Sequence, residues 1–261
     1  MQPERDADVL VVLAHQDDEV GVLTRIRWEQ AHGARVWCAY ATDGAKTTPA
    51  AVRDAESRAV LASAGVPPER IGLLGEDRRI ADGALAAHAP AALAALRGWG
   101  ERILALRCIY TLDWEGGHHD HDTVHAIALA YARERAVPVF AFSLYNGFAR
   151  APGWYRVTSF VPRAGAGIVR RALSLRDALA PLRAVTRYPS QWRSWMGLAG
   201  GLAVRAIARR EERMRGAHVA ALAQRPHAGV LLYEARFGGK YEDVRAAVDA
   251  LHGAELAQAS P

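Results

Sequence analysis

Two short stretches concentrate the residues that could hold a metal ion or move protons. The first reads Ala14-His15-Gln16-Asp17-Asp18-Glu19; the second reads His118-His119-Asp120-His121-Asp122, behind Asp113-Trp114-Glu115-Gly116-Gly117. Imidazole and carboxylate donors without a nearby thiolate suit zinc, and three protein donors with a fourth position open make a catalytic centre. His15 and Asp18, three apart at a helix start, can converge on one point, so Asp17 must aim elsewhere and is free to handle protons. His118 and His121 are also three apart, so one can ligate while the other faces a substrate. Each stretch alone has a plainer reading, because carboxylates favour helix N-termini and a His-rich loop can simply be solvated. Their joint placement is what argues for chemistry.

That placement follows from the elements around them. Apolar runs of strand length at residues 8–14, 35–42, 70–74, 103–112 and 138–145 alternate with helix-like stretches at 20–32, 50–64, 83–98 and 120–135. Strands buried on both faces read as continuous apolar runs, and the alternation implies right-handed crossovers onto a parallel sheet. The expected fold is therefore α/β, a Rossmann-like, doubly wound, mostly parallel sheet with helices on both faces. In such sheets ligands bind beyond the carboxyl ends of the strands. With strand order 3-2-1-4-5, strands 1 and 4 are neighbours and the two polar stretches meet in one crevice.

The 261 residues, 51% apolar and 23% charged, are ordinary globular usage and exclude a disordered or fibrous chain. Two cysteines, Cys38 and Cys108, in apolar runs suggest buried thiols and a reducing, cytoplasmic setting. The leading MQPERDADV lacks the features of a secretory signal, and residues 195–204, broken by three glycines, are too short to span a bilayer. Charge is uneven: residues 1–146 carry 15 Lys and Arg against 20 Asp and Glu, residues 147–240 carry 17 against 4, and residues 241–261 carry 1 against 4. The basic block points to a polyanionic ligand, an anionic membrane surface or nucleic acid. After residue 147 the pattern loosens through Pro152, Gly153, Pro162, Gly165 and Gly167 into Arg-rich, mainly helical stretches expected at 168–187 and 202–224. A late apolar run at 230–237 reads as a strand closing the sheet or as a small subdomain. The expected division is a core over 1–147 and a basic C-terminal part over 148–261 that completes the same domain or forms a small lid.

The motifs themselves resemble a known family. AHQDDE is similar to the AHPDDE signature, and GGHHDHD to the GHPDH signature, of the PIG-L/LmbE-like zinc-dependent N-acetylglucosaminyl deacetylases. Arg53-x-x-Glu56 and Ser143-Leu144-Tyr145-Asn146 add to the likeness, which covers roughly residues 8–147. The resemblance implies zinc held by His15, Asp18 and His121, with Asp17 as general base, His118 as electrophilic partner and Asp120 orienting His118 in its cationic form. It implies hydrolysis of an N-acetylated amino sugar or its glycoside or glycolipid by metal-activated water, releasing acetate and an amine. Gln16 and His119 stand where the family has proline, and His119 is a rival ligand.

Other residues carry open readings. Arg53 could clamp substrate or pair with Glu56 or Asp43; Asp43 could touch substrate or close a turn; Trp114 could stack on a sugar or pack in the core. His125 is read as a packed or surface histidine rather than a ligand. Trp192 and Trp195 suggest a glycan- or lipid-facing lip or a packed helix. The arginines at 170, 171, 176, 205, 209, 210, 213 and 215 read as a solvated face or as contacts to an anionic or lipid-linked substrate. The rival function is a basic module that binds polyanions or a membrane surface and keeps a vestigial metal site; nucleic acid is not an expected partner. No dinucleotide-binding glycine motif, complete P-loop or nucleophile elbow is present. Substrate choice is expected to lie in residues 76–82, 113–117 and 147–200.

Overall fold

The computed structural model describes residues 6–163 and 167–258. The leading MQPER and Gly165 lie outside them. Seven strands form one sheet in the order β3-β2-β1-β4-β5-β9-β8. β1 (Asp8–Leu13), β2 (Arg35–Tyr40), β3 (Ile71–Leu73), β4 (Leu106–Leu112) and β5 (Val139–Phe142) pair in parallel, in the expected 3-2-1-4-5 order. β6 (Tyr145–Asn146) and β7 (Arg156–Val157) form a small separate hairpin. β8 (Ile168–Ala172) and β9 (Glu211–Ala217) run antiparallel at the β5 edge.

The helices are α1 (Glu19–Ala31), α2 (Ala50–Ser63), α3 (Leu74–Arg78), α4 (Ala89–Gly100) and α5 (His119–Arg135). After β8 come α6 (Leu175–Ala178), α7 (Ala180–Val185), α8 (Trp192–Val204), α9 (Leu232–Arg236) and α10 (Tyr241–Gln258). α10 packs with α4 and α5 in one layer, and α1 packs with α7 in another. No helix among the described residues is long and apolar enough to cross a membrane.

β1 is buried along its whole length, so Val9 to Leu13 form the centre of the core, each worth roughly 1.5–3 kcal/mol of transfer free energy. Its one charge, Asp8, is satisfied by Arg35 Nε at 2.7 Å, Trp37 Nε1 at 2.9 Å and the Ala105 N–H at 2.9 Å. One side chain thus ties the entry of β1 to β2 and to the approach of β4. Both cysteines are free and buried.

Three expectations for the C-terminal part are corrected. The stretch 168–187 begins as strand β8 before the short helices α6 and α7. The stretch 202–224 holds the end of α8, a π-helical turn over Arg205–Arg209, and then strand β9. The run at 230–237 contains α9 instead of a strand. β9 carries two glutamates and two arginines but is built into the sheet, with Glu212, Met214 and Arg215 buried.

Candidate metal centre and catalytic cavity

Because β1 and β4 are parallel neighbours, the turn entering α1 and the loop entering α5 leave the same edge of the sheet side by side. The turn after β1 is shaped by Asp18, whose Oδ2 accepts from the Ala14 N–H at 3.1 Å and the His15 N–H at 2.7 Å. Its Oδ1 faces His121 Nε2 at 3.1 Å. The His15, His118 and His121 rings lie 4.8–5.3 Å apart between centroids. One ring nitrogen from each falls within 4.8 Å of the others.

This donor set fits a small divalent ion. The Asp18 to His121 separation is close to the edge of a tetrahedron built from 2.0–2.1 Å bonds, about 3.3 Å. His15 Nε2 lies 3.0 Å from Asp120 Oδ2, the carboxylate–histidine pairing that commonly fixes a ligand's tautomer, leaving Nδ1 on the Asp18 side at 3.7 Å. Burial would lower the His15 pKa, but Asp82, Asp120 and Asp18 raise it to about 10. Burial would raise Asp18, but His121 and His15 hold it at about 2. The first records the carboxylates gathered around His15, the second the imidazoles facing Asp18.

Asp17 has φ 126°, a backbone conformation that L residues rarely adopt. The turn is held from below by Arg53 of α2, which donates to the Gln16 carbonyl, to Gly44 O at 2.5 Å and to Asp17 Oδ1 at 3.0 Å. Gln16 adds Nε2 to Asp54 Oδ1 at 2.7 Å, so the residue standing in place of proline is used as an anchor. Burial pushes the Asp17 carboxyl up, Arg53 pulls it back and Asp18 adds repulsion, leaving it raised to about 7. That is the range of a general base working near neutrality. Arg53 does not pair with Glu56, which instead accepts from Ser190, nor with Asp43.

The expected role of Asp120 is corrected. Its carboxylate binds His15 Nε2, the Gly83 N–H at 2.6 Å and the Leu85 N–H at 3.1 Å, while His118 Nδ1 accepts only the Asp120 backbone N–H at 3.2 Å. His118 is also not held cationic: burial, with His15 and His121 beside it, drives its pKa well below the ordinary value. His119 stacks on His118 but sets its Nε2 against Gly83 O at 2.9 Å, away from the Asp18 side.

The β4–α5 loop is braced by two buried carboxylates. Asp122 accepts from the Glu115 N–H at 3.0 Å and the Gly116 N–H at 3.2 Å. Glu115 accepts from Ser143 Oγ, the Leu144 and Tyr145 N–H groups and Asn146 Nδ2. Gly117 passes so close to the Tyr145 carbonyl that a Cβ would meet it at 2.0 Å. Burial and the nearby Asp113 raise Glu115 to about 8.

These groups open into a cavity of about 470 Å³ that His15, Asp17, Asp18, Arg53, His118 and His121 all line. Trp114 is not part of it: the ring is fully buried and its Nε1 donates to Gln224 O at 3.0 Å, so the core reading holds. Asp43 turns its Oδ1 to the N–H groups of Ala45 and Asp82, a turn-closing role outside the cavity wall. His125 packs with Nδ1 against Leu112 O. Of the two tryptophans on α8, Trp195 is buried and lines the cavity while Trp192 is 52% exposed.

Sequence reasoning missed several wall residues. Asp82, 3.5 Å from both His15 Nε2 and Arg53 Nη1, ends the 76–82 stretch expected to set substrate choice, but nothing within that stretch singles it out except the glycine after it. Arg236 at the end of α9 and Phe237 just after it enter from the stretch read as a strand.

Residues 10–132 match the family model described as PIG-L, GlcNAc-PI de-N-acetylase. Over that stretch, a little under half of the chain, it is similar to the PIG-L family. No curated protein matches it. Among solved structures it is similar to a deacetylase of the teicoplanin biosynthesis pathway (18% identity, 80% of this chain and 97% of that one, TM-score 0.61). It is also similar to the A40926 pseudoaglycone deacetylase (18%, 82% and 97%, 0.62) and to the N,N'-diacetylchitobiose deacetylase of Pyrococcus horikoshii (17%, 80% and 83%, 0.53). At these identities the likeness is one of fold. The matched PIG-L stretch contains His15, Asp17, Asp18, Arg53, Asp82, His118, Asp120 and His121, whereas the cavity walls from α8 and α9 lie beyond it.

Much of the basic block outside the PIG-L stretch is bound internally. Arg171 pairs with Glu212, Arg213 with Glu211 and Arg215 with Asp113, while Arg205 donates to Gly21 O. Arg193 and Arg236 are the arginines of this block that reach the cavity wall.

Proposed function

We infer that the protein is a metal-dependent amidohydrolase that removes the acetyl group from an N-acetylated amino sugar or its glycoconjugate, with zinc as the ion. The observation that carries this is the approach of His15 and His121 to Asp18, at 3.7 and 3.1 Å, beside a raised Asp17 carboxyl in one cavity. The PIG-L match and the deacetylase activities named for the three similar structures reported above support the reading.

His15, Asp18 and His121 would hold the ion. When bound, such an ion acts as a Lewis acid on the amide carbonyl and makes water more acidic. Asp17 takes a proton from the attacking water and returns it to the departing nitrogen, so that water and amide become acetate and amine. His118, accepting the Asp120 N–H on Nδ1, carries its proton on Nε2 and donates from there to the developing oxyanion as a neutral imidazole. Arg53 keeps Asp17 aimed and partly charged. Arg193, Arg236 and Lys46 on the cavity wall favour a substrate with an anionic group near the acetamide. We assign residues 148–261 to the same domain as the core, since β9 pairs directly with β5.

The test is acetate release from a panel of N-acetylated sugars, nucleotide sugars and glycolipids, with Asp17→Asn as control. Zinc is titrated from substoichiometric to excess, because one similar structure is described as a zinc-inhibited form of a teicoplanin deacetylase (17% identity, TM-score 0.60). Turnover that Asp17→Asn lowers by about 10²–10⁴-fold supports the reading; turnover within a few fold of the parent contradicts it.

A further inference from the structure

The backbone of Asp17 is held at a second point, by a path that begins outside the PIG-L stretch. At φ 126° Asp17 has a conformation that persists only where its surroundings enforce it. Its N–H donates to Glu19 Oε2 at 2.9 Å. Glu19 opens α1 but does not reach water: it is fully buried, and its other oxygen, Oε1, accepts from the hydroxyl of Tyr188. Tyr188 is buried in the turn between α7 and α8, and Ser57 Oγ of α2 lies 3.2 Å from the same hydroxyl.

Tyr188 is fixed in its turn from two directions. Two residues on, Ser190 donates to Glu56 of α2 through its N–H, at 3.0 Å, and through its hydroxyl. On the other side the Tyr188 ring lies 6.3 Å from that of Trp195, which lines the catalytic cavity. A glutamate side chain has several staggered conformations, and a hydroxyl donating to its buried carboxylate selects one of them through a charge-assisted bond. Without that donor, Oε1 is left short of a partner and the carboxylate turns to find another, drawing Oε2 off the Asp17 N–H.

We propose that Tyr188 is a positioning residue for the reaction: through Glu19 it sets the backbone of Asp17, as Arg53 sets its carboxyl. The C-terminal part of the chain then supplies a support for the base as well as a wall for the substrate. This rests on the role given to Asp17 above.

The test is acetate release by the zinc-loaded full chain carrying Tyr188→Phe, expressed per bound zinc, beside residue-resolved amide exchange followed by NMR. Because the ring and the wall it packs on are kept, KM and bound zinc should stay at the parent value while kcat falls about tenfold or more. Exchange of the Asp17 N–H should quicken about tenfold, with that of the His15 N–H, held by Asp18, unchanged. A merely structural Tyr188 would lower the share of folded, zinc-binding chains and leave kcat per zinc where it was. Glu19→Met should reproduce the loss, and adding Tyr188→Phe to it should cost nothing further; where Glu19→Met fails to fold, Tyr188→Phe decides by itself. Parent kcat in Tyr188→Phe, an Asp17 N–H that exchanges no faster, or losses that add up in the double variant would overturn the proposal. Asp17→Asn, assayed alongside, keeps the two claims apart: if it retains turnover the base lies elsewhere and this proposal falls with it, whereas an inactive Asp17→Asn beside an unaffected Tyr188→Phe refutes the role of Tyr188 alone. Where no substrate is turned over, the exchange rates decide.

Discussion

Arg53 donates to Asp17 across 3.0 Å, and the same guanidinium grips the carbonyl of Gln16 next to it. The side chain thereby fixes both the position and the strained backbone of the residue given the proton-transfer role. Arg53→Met should lower kcat by about 10²-fold with little loss of bound metal, since a misplaced base costs this much without touching a ligand. Kinetics paired with metal analysis on the same preparation check it. Loss of metal in proportion to loss of rate would assign Arg53 to the metal centre instead.

Asp120 and His15 give a prediction that separates two accounts. With its carboxylate on His15 Nε2 and on two backbone N–H groups, Asp120 supports a ligand. Asp120→Asn should weaken metal affinity about 10–100-fold, read by competition with a chromophoric chelator. Had the carboxylate oriented His118, as the motif alone suggests, the same variant would lower kcat at unchanged metal affinity.

Trp114 makes the corresponding point for substrate. Its ring is sealed in the core with Nε1 on Gln224 O. Trp114→Phe should reduce stability by about 1–3 kcal/mol through the lost hydrogen bond and volume, and leave KM unchanged for every substrate turned over. Denaturant unfolding and steady-state kinetics measure the two halves.

Asp8 carries a pH-dependent share of stability. Burial works to raise its pKa, but the bonds from Arg35, Trp37 and Ala105 outweigh this and hold it below the ordinary value. A group lowered on folding stabilises above its unfolded pKa, and that stability fades as pH falls through the folded one. Asp8→Asn should therefore cost about 1–3 kcal/mol at pH 7, with the gap to the parent closing below about pH 4, as urea melts at several pH values would show.

The parallel half of the fold was legible because β1 and β4 are buried on both faces and so read as unbroken apolar runs between helices. That pattern also brought His15 and His121 together from turns about a hundred residues apart. The antiparallel edge was hidden for the opposite reason. β9 buries Glu212 and Arg215, which pair with Arg25, Arg171 and Asp113 from distant segments, and a strand built on such pairs looks like a solvated helix face in sequence. Asp82 was illegible because its place against His15 depends on the path of residues 79–83, where Arg79 and Gly83 take left-handed φ values. The role of Asp120 was misread because spacing on a helix does not tell which neighbouring imidazole a carboxylate turns to.

The central claim is that His15, Asp18 and His121 grip one divalent ion between the β1 and β4 loops. Diffraction from zinc-soaked crystals, recorded on both sides of the zinc absorption edge, addresses it directly. The account predicts one strong anomalous peak bounded by those three side chains, lost in His121→Ala. A peak held instead by His119, or none between the two loops, would contradict it.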